Sequence, residues 1–200
     1  MSWLTQEELK VFKQVGNNVL ISKDARIFSP ENVSIGDNVR IDAFTTIHAG
    51  GGYLKIGSFV HISVHVTLLC QGGVEIGDFA QVAAKCTLLS ASDCFGGDVL
   101  IGPTVPQKYR KVITGRIILD RLSVLGVGCT LSPGTHVGMG SALGSMSMTK
   151  KNQVLNPNTL YAGIPCKEIR ERGIGAYKLA DELIGEHWHV RGLPPQDLQT

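Results

Sequence analysis

The sequence predicts a mostly β protein, a parallel β-helix built from six-residue repeats, and three observations lead to this expectation. Apolar residues recur at every sixth position over long stretches of the chain. Glycine makes up 24 of the 200 residues and is spread along the chain instead of being confined to a linker. A helix through residues 119–161 would place several glycines and the two prolines Pro133 and Pro157 in its interior, at a cost of about 1 kcal/mol for each glycine and about 3 kcal/mol for each proline. Short strands separated by turns that glycine permits fit the composition better.

The repeat is clearest from Leu119 onward, where steps of six residues reach Leu or Val at six of the first eight positions. Three earlier triplets keep the same spacing and begin at Ile35, Ile56 and Ile76, each followed directly by glycine. A period of six fits neither the 3.6-residue period of a helix nor the two-residue alternation of a simple strand. We expect three short strands to close one coil of about 18 residues, and stacked coils to bury a continuous apolar column. A glycine-rich sandwich with accidental periodicity is the alternative interpretation.

Both ends of the chain leave the six-residue spacing, and we expect helices there. Residues 1–18 are predicted to form an N-terminal helical cap, because Thr5 and Glu8 make a capping box in front of an apolar run. Residues 19–165 would form the β-helix, and residues 166–200 a C-terminal helix and tail. Such caps would cover end coils that otherwise expose backbone groups and apolar edges.

One insertion interrupts the repeats between Leu88 and Leu119. Its central part, residues 93–116, contains two prolines and a cluster of basic residues. We expect this excursion to be a long loop on the repeat scaffold. Loops of that length usually carry function, although a decorative insertion is the alternative.

Composition excludes several classes of protein. The net charge is +2, from 19 Lys and Arg against 17 Asp and Glu, and aromatic residues make up 6%, so nucleic-acid binding is not expected. No apolar run approaches the roughly 18 residues of a membrane span. The 5 cysteines are an odd number without a C-x-x-C pair, which disfavours a disulfide framework and a structural zinc site. A reducing, cytoplasmic location fits this cysteine usage.

The pattern resembles the hexapeptide-repeat acyltransferases, the xenobiotic and sugar acetyltransferase superfamily, over about residues 19–172. The segments that carry the resemblance are Ile76–Phe79, Leu131–Thr135 and Tyr161–Arg170. Three further segments resemble a subgroup that acts on sugars of surface polysaccharides such as lipopolysaccharide: Val60–Ile62, Ser90–Asp93 and Gly102–Pro106. The resemblance implies a left-handed β-helix, a homotrimer, acetyl-CoA as donor and active sites between subunits. The acceptor would be a hydroxyl or amino group of a sugar, either nucleotide-linked or part of a polysaccharide precursor.

The resemblance also implies positions that contact the donor. Coenzyme A carries a 3′-phosphate and a pyrophosphate, which need cations and backbone N–H groups at the end of their groove. The family usually has Thr-Lys-Asp in one turn near the groove, and this chain has Lys150-Lys151-Asn152 there. The positions that match coenzyme contacts are Ser145, Lys150, Lys151, Lys167 and Arg170.

The base for acyl transfer cannot be copied from the family, because many relatives have a histidine where this chain has Asp93. His61 is the first choice and His65 the second, since both flank one corner of the same coil and the matching strand in relatives faces the acceptor across the subunit cleft. Asp93 and His136 form another candidate pair, and a histidine from an adjacent subunit could also reach Asp93. His48 is expected to lie away from the excursion.

Acceptor binding is expected from the same coils and from the excursion, which would close over the sugar. The predicted acceptor-binding residues are Ser63, Lys85, Tyr109, Arg110 and His136. Two other functions stay open. One is a β-helix metalloenzyme of the carbonic-anhydrase type, in which three histidines hold zinc, and the other is a non-catalytic trimeric scaffold. No metal is expected for the acyltransferase.

Overall fold

The chain forms a parallel β-solenoid in a computed structural model that describes residues 2–187. The predicted mostly β fold of stacked coils is confirmed. Short helical segments lie at Glu8–Val11, Pro30–Asn32 and Gln107–Tyr109, all of the 3-10 type, and one α-helix, α1, spans Gly175–His187. In chain order the strands are β1 (Gln14–Val15), β2 (Val19–Ile21), β3 (Arg26–Phe28), β4 (Val33–Ile35), β5 (Val39–Ile41), β6 (Thr46–His48), β7 (Leu54–Ile56), β8 (His61–Ile62), β9 (Thr67–Leu69), β10 (Val74–Ile76), β11 (Gln81–Val82), β12 (Thr87–Leu89), β13 (Ala91–Asp93), β14 (Val112–Thr114), β15 (Ile117–Leu119), β16 (Val124–Leu125), β17 (Thr130–Leu131), β18 (His136–Val137), β19 (Ala142–Leu143), β20 (Val154–Leu155), β21 (Thr159–Gly163) and β22 (Cys166–Glu171).

Three sheets run along the solenoid, and each coil adds one strand to the first and second sheets, whereas the third sheet ends at β17. The first sheet has the order β1-β4-β7-β10-β15-β18-β20, the second β2-β5-β8-β11-β16-β19-β21-β22, and the third β17-β12-β9-β6-β3. Within the coils all pairs are parallel, as between Ile56 and Ile76 in the first sheet or Ile41 and Ile62 in the second. A side chain on one strand therefore stacks on its counterparts in the coils above and below.

The six-residue positions form the core. Leu125, Leu131 and Val137 are fully buried, and Tyr161 at the end of the series is nearly so. Thr149 is the polar member of the column. Its hydroxyl group shares a 2.7 Å hydrogen bond with the Thr135 hydroxyl, which satisfies its polar atom inside the core.

The N-terminal cap differs from the predicted helix. The capping box forms, with Thr5 N donating to Glu8 Oε2 at 2.7 Å, but the helical segment has only four residues. The chain must straighten by Gln14 to pair with β4, so a longer helix has no room. Leu9 covers the open end of the apolar column, and Trp3 pairs antiparallel with the edge of the second sheet.

The C-terminal cap also differs from the prediction of a helix that starts at residue 166. Residues 166–171 form β22, which pairs antiparallel with β21 and closes the other edge of the second sheet. An extra strand satisfies the exposed backbone groups of that edge, which a helix could not do. Helix α1 follows from Gly175. The predicted tail lies outside the described residues, and no helix within residues 2–187 is long and apolar enough to cross a membrane.

The excursion leaves the third sheet after β12 as an antiparallel hairpin of β13 and β14, in which Ser92 pairs with Ile113. Its base is fixed by Ser90, whose carbonyl oxygen accepts from Gly115 N at 2.9 Å and whose hydroxyl group donates to Leu69 O at 2.7 Å. The hairpin therefore stands at a defined place, where the third sheet turns toward the first.

Candidate functional site

A cavity of 580 Å³ opens where the base of the excursion meets the third sheet. Its polar lining includes Asp93 and Ser92 from β13, Arg110 from the excursion and His48 from β6. This volume lies within the range of about 300–1,000 Å³ that is usual for small-molecule sites. The structure thus brings together two of the predicted site residues, Asp93 and Arg110.

The hairpin explains how these two side chains meet. Asp93 ends β13 opposite Val112, and Arg110 precedes β14, so they lie on the two arms of the same hairpin. Arg110 Nε is buried, and within residues 2–187 it has no hydrogen-bond partner. A buried donor without a partner is costly, which suits a site where a ligand supplies the acceptor.

His48 lies on the wall of this cavity, contrary to the expectation that it lies away from the excursion. The reason is the register of the third sheet, in which His48 pairs with Leu69 and Leu69 pairs with Leu89. The excursion begins directly after Leu89, so His48 stands two coils below its base. The sequence holds a signal for this position. If the strand register is counted through the insert at residues 50–55, His48 falls in line with the start of the excursion.

His61 lies on the second sheet, away from the residues that line the cavity. Its Nε2 is 2.7 Å from Asp42 Oδ2, and Asp42 Oδ1 accepts from Arg40 Nε at 2.7 Å. Burial would raise the pKa of Asp42, but the hydrogen bonds with Arg40 and His61 outweigh it and hold that pKa below its ordinary value. The result is a histidine bound to an ionised carboxylate that an arginine also holds.

His65 lies at the following corner of the same coil, in the left-handed backbone conformation. Its ring stacks on Phe44, with 5.0 Å between the centroids. Lys85 holds the same position one coil above, and the backbone of Ser63 accepts a hydrogen bond from Thr45 on the same corner. These predicted residues therefore form one exposed corner that does not reach the cavity within a single chain.

His136 does not pair with Asp93. Its Nε2 lies 2.8 Å from Asp120 Oδ2 on the first sheet, because Asp120 directly follows the strand below it. Tyr109, also predicted to bind the acceptor, is exposed on the excursion, where Lys108 Nζ lies 4.8 Å from its ring centroid. Neither side chain lines the cavity.

The predicted donor contacts gather toward the last coils. Gln153 joins two of their segments: its side chain accepts from Lys150 N at 2.7 Å and donates to Cys166 O at 3.1 Å. The lysine turn is thereby tied to the start of β22, which carries Lys167. The five predicted donor contacts are all exposed: Ser145, Lys150, Lys151, Lys167 and Arg170. Exposed cations at the edge of the last coils suit the phosphates of a coenzyme.

The cysteines do not offer an acyl-accepting nucleophile at the cavity. Burial raises the pKa of Cys70, the cysteine at the cavity wall, to about 12, so it stays a thiol at neutral pH. The hydrogen bond with Cys129 and burial likewise raise the pKa of Cys86. Within residues 2–187, no group of three His, Cys, Asp and Glu side chains is arranged to hold a metal ion.

Comparisons with known proteins point to one chemistry. No family model matches the chain. A dTDP-4-amino-4,6-dideoxy-D-glucose acyltransferase from Escherichia coli is 33% identical over 174 residues, which cover 86% of this chain and 90% of that protein. A galactoside O-acetyltransferase from Escherichia coli K12 is 25% identical over 141 residues, 69% of this chain and 63% of that protein.

A solved structure extends the likeness to three dimensions. AntD, an N-acyltransferase from Bacillus cereus, superposes with a TM-score of 0.87 at 38% identity, over 92% of this chain and 98% of that one. That protein was solved with dTDP-4-amino-4,6-dideoxyglucose and coenzyme A, and also with dTDP and 3-hydroxybutyryl-CoA.

Proposed function

Because the chain belongs to the hexapeptide-repeat sugar acyltransferases, we propose that it moves the acetyl group of acetyl-CoA to the amino group of a nucleotide-linked 4-amino-4,6-dideoxyhexose. The amino-sugar enzymes are 33% and 38% identical to it, whereas the galactoside O-acetyltransferase is 25% identical. This order favours an amine over a hydroxyl acceptor. The amino-sugar acceptors are those of the relatives. The cavity of this chain supports an acceptor of the same kind independently of them.

The observation that carries the proposal is the shared cavity of Asp93 and Arg110. A carboxylate there can hold the amino group of a sugar, and a guanidinium can hold the phosphates that link the sugar to its nucleoside. His48 adds a further polar group at the same wall. An acidic and a basic side chain in one cavity match the two ends of a nucleotide-linked amino sugar.

The reaction needs one proton acceptor. The sugar nitrogen attacks the thioester carbonyl carbon, a C–N bond forms, the C–S bond breaks, and the departing sulfur takes up a proton as the nitrogen loses one to the base. We assign Asp93 to contact the amino group and His61 to take the proton, with His65 as the alternative base. Ser63, Lys85, Tyr109 and His136 remain proposed acceptor contacts.

The donor end follows from the cations of the last coils. We propose that Ser145, Lys150, Lys151, Lys167 and Arg170 hold the phosphates and pantetheine chain of the donor. The link from Lys150 through Gln153 to β22 supports this, because it keeps two of these segments together.

A homotrimer would unite the separate groups. Asp93 lines the cavity at the excursion, whereas His61 and His65 lie on the second sheet and its corner and are not among the lining residues, so the single chain does not unite them at the cavity. A neighbouring copy that presents its second sheet to the cavity would do so, and light scattering tests the expected threefold mass. The 5 free cysteines support a reducing, cytoplasmic location.

The decisive experiment measures thiol release from acetyl-CoA with three acceptors: dTDP-4-amino-4,6-dideoxyglucose, its 4-hydroxy analogue and a galactoside. We expect turnover with the amino sugar and at most a few per cent of that rate with the others. Asp93→Asn should abolish most of it, and Glu75→Gln, a carboxylate on the first sheet away from the cavity, should retain it. Preferred turnover of the galactoside would establish O-acetylation instead, and no thiol release with any acceptor would contradict the proposal.

A further inference from the structure

We propose that Asp42 is a positioning residue that fixes His61 in a single tautomer, with the lone pair of Nδ1 presented to the acceptor. The proposal rests on the acyl transfer proposed above and names the residue that prepares its base. Asp42 is not among the residues that the sequence predicted for the site.

The geometry places the two edges of the His61 ring in different surroundings. Asp42 directly follows β5, one coil below β8, and its side chain is only 6% exposed. The His61 side chain is 41% exposed, and its Nε2 meets the buried carboxylate at 2.7 Å. The ring is therefore anchored through Nε2 at the sheet, while within residues 2–187 its Nδ1 has no hydrogen-bond partner.

The charge of Asp42 decides which nitrogen carries the hydrogen. Asp42 is held ionised at neutral pH by its hydrogen bonds, and an ionised carboxylate can only accept. Neutral His61 must therefore donate from Nε2, which leaves a lone pair on Nδ1. That is the tautomer a general base needs when its outer edge faces the substrate.

A second layer holds the carboxylate itself. Arg40, the strand partner of His61 one coil below, donates from Nε to Asp42 Oδ1, and its guanidinium lies 5.4 Å from the centroid of the Trp3 ring. Trp3 in turn pairs with Ser22 at the edge of the sheet. The charged groups that face His61 are therefore Arg40 and Asp42 from below, and from the coil above its strand partner is the uncharged Gln81.

The chain contains an internal comparison. His136 and Asp120 repeat the same arrangement, in which the aspartate directly follows the strand one coil below the histidine. Both side chains of that pair are 38% exposed, so water competes for the contact. The burial of Asp42 and its hydrogen bond with Arg40 distinguish the first pair from the second. These two features allow Asp42 to anchor the His61 ring.

The test combines a spectroscopic and a kinetic measurement. Nitrogen-15 chemical shifts of the His61 ring in the wild-type protein should show the Nε2–H tautomer, and Asp42→Asn should give a mixture. With acetyl-CoA and the amino sugar, Asp42→Asn should lower kcat about 10–100-fold, leave the KM for acetyl-CoA unchanged, and move the acidic limb of the kcat/KM profile to lower pH. Glu75→Gln is the matched control, because Glu75 also binds a ring hydroxyl and an arginine (Tyr53 and Arg116).

Three results would overturn the proposal: an Nδ1–H tautomer in the wild type, a pH profile that Asp42→Asn leaves in place, or an equal effect of Glu75→Gln. The wild-type spectrum decides the tautomer even where Asp42→Asn does not fold. It also separates this proposal from the function on which it rests, because a chain that releases no thiol would still report its tautomer.

Discussion

The Tyr177 hydroxyl group donates a 2.6 Å hydrogen bond to Asn158 Oδ1, which ties α1 to the last turn of the solenoid. A second tie joins Arg121 Nη2 to Asp181 Oδ1 at 2.6 Å, one turn further along the helix. Gly140 lies beneath the tyrosine, and an added Cβ there would come within 2.6 Å of the Tyr177 hydroxyl. The helix thus covers the corner between the first and second sheets at the end of the coils.

Tyr177→Phe should loosen this helix without unfolding the coils. The variant loses one hydrogen bond, which is worth about 1 kcal/mol, and leaves Asn158 Oδ1 without that donor. Trypsin cleavage after Lys178 should become several times faster, whereas Leu179→Ala, at a side chain that is 65% exposed, should leave the rate unchanged. Equal cleavage rates for wild type and Tyr177→Phe would show that the hydroxyl group does not hold the helix.

Gly52→Ala should destabilise the solenoid strongly. A Cβ at this corner would stand 2.0 Å from the carbonyl oxygen of Cys70 in the next coil, so the backbone of one coil must move. We expect a loss of about 2–3 kcal/mol in the free energy of unfolding, measured by urea titration. Gly173→Ala is the control, because nothing lies within 4 Å of its added Cβ; a similar loss there would contradict the steric explanation.

The sequence predicted the coils because their side chains obey a strict local rule. Every sixth residue points inward, and a residue such as Leu131 is buried whatever lies outside the solenoid. The caps obey no such rule. Cys166–Glu171 contains charges that a helix would accept equally well, and only the open edge beside β21 makes it a strand.

The regular repeat also made part of the site predictable. Asp93 and Arg110 were found because the excursion breaks the repeat, and a break in the repeat is visible in the sequence. His48 and Asp42 act through neighbours one or two coils away, so their roles depend on strand register across inserts. Asp42 follows an inward-pointing isoleucine like any turn residue, and only its contact with His61 distinguishes it.

The cysteines should differ sharply in reactivity. Cys94 at the start of the excursion tip is partly exposed, whereas Cys70, Cys86, Cys129 and Cys166 are buried. A disulfide reagent applied to the native protein at about pH 8 should therefore modify one thiol quickly and the rest only on unfolding. Cys94→Ser should remove the fast phase, and a fast phase that persists in this variant would place a second thiol at the surface.

The pKa of Asp42 predicts how stability responds to acid. Because the folded state holds that pKa below its ordinary value of 3.8, Asp42 contributes stability above that pH and loses it as the pH falls through its folded value. Asp42→Asn should thus be clearly less stable than the wild type at about pH 7, and the difference between the two should be smaller at about pH 3. Urea titrations at both pH values measure this, and a difference that grows toward low pH would contradict the assigned direction.

Arg110→Gln should separate acceptor binding from stability. Arg110 Nε is buried in the cavity, and within the described residues it has no acceptor, so the free protein carries a cost that an anionic substrate relieves. Removing the charge should leave the free energy of unfolding unchanged or slightly raised. It should lower kcat/KM for the nucleotide-linked sugar about 10–100-fold, mainly through the KM of the acceptor.

Lys108→Gln is the matched control for this variant, since it removes the same charge from the same excursion at a side chain that lies against the Tyr109 ring outside the cavity. The KM for acetyl-CoA should be the same in both variants and in the wild type. A loss of stability in Arg110→Gln that Lys108→Gln does not share would mean that Arg110 stabilises the free protein, which contradicts the expected cost of its unpaired Nε. An unchanged acceptor KM in a folded Arg110→Gln variant would mean that the phosphates bind elsewhere.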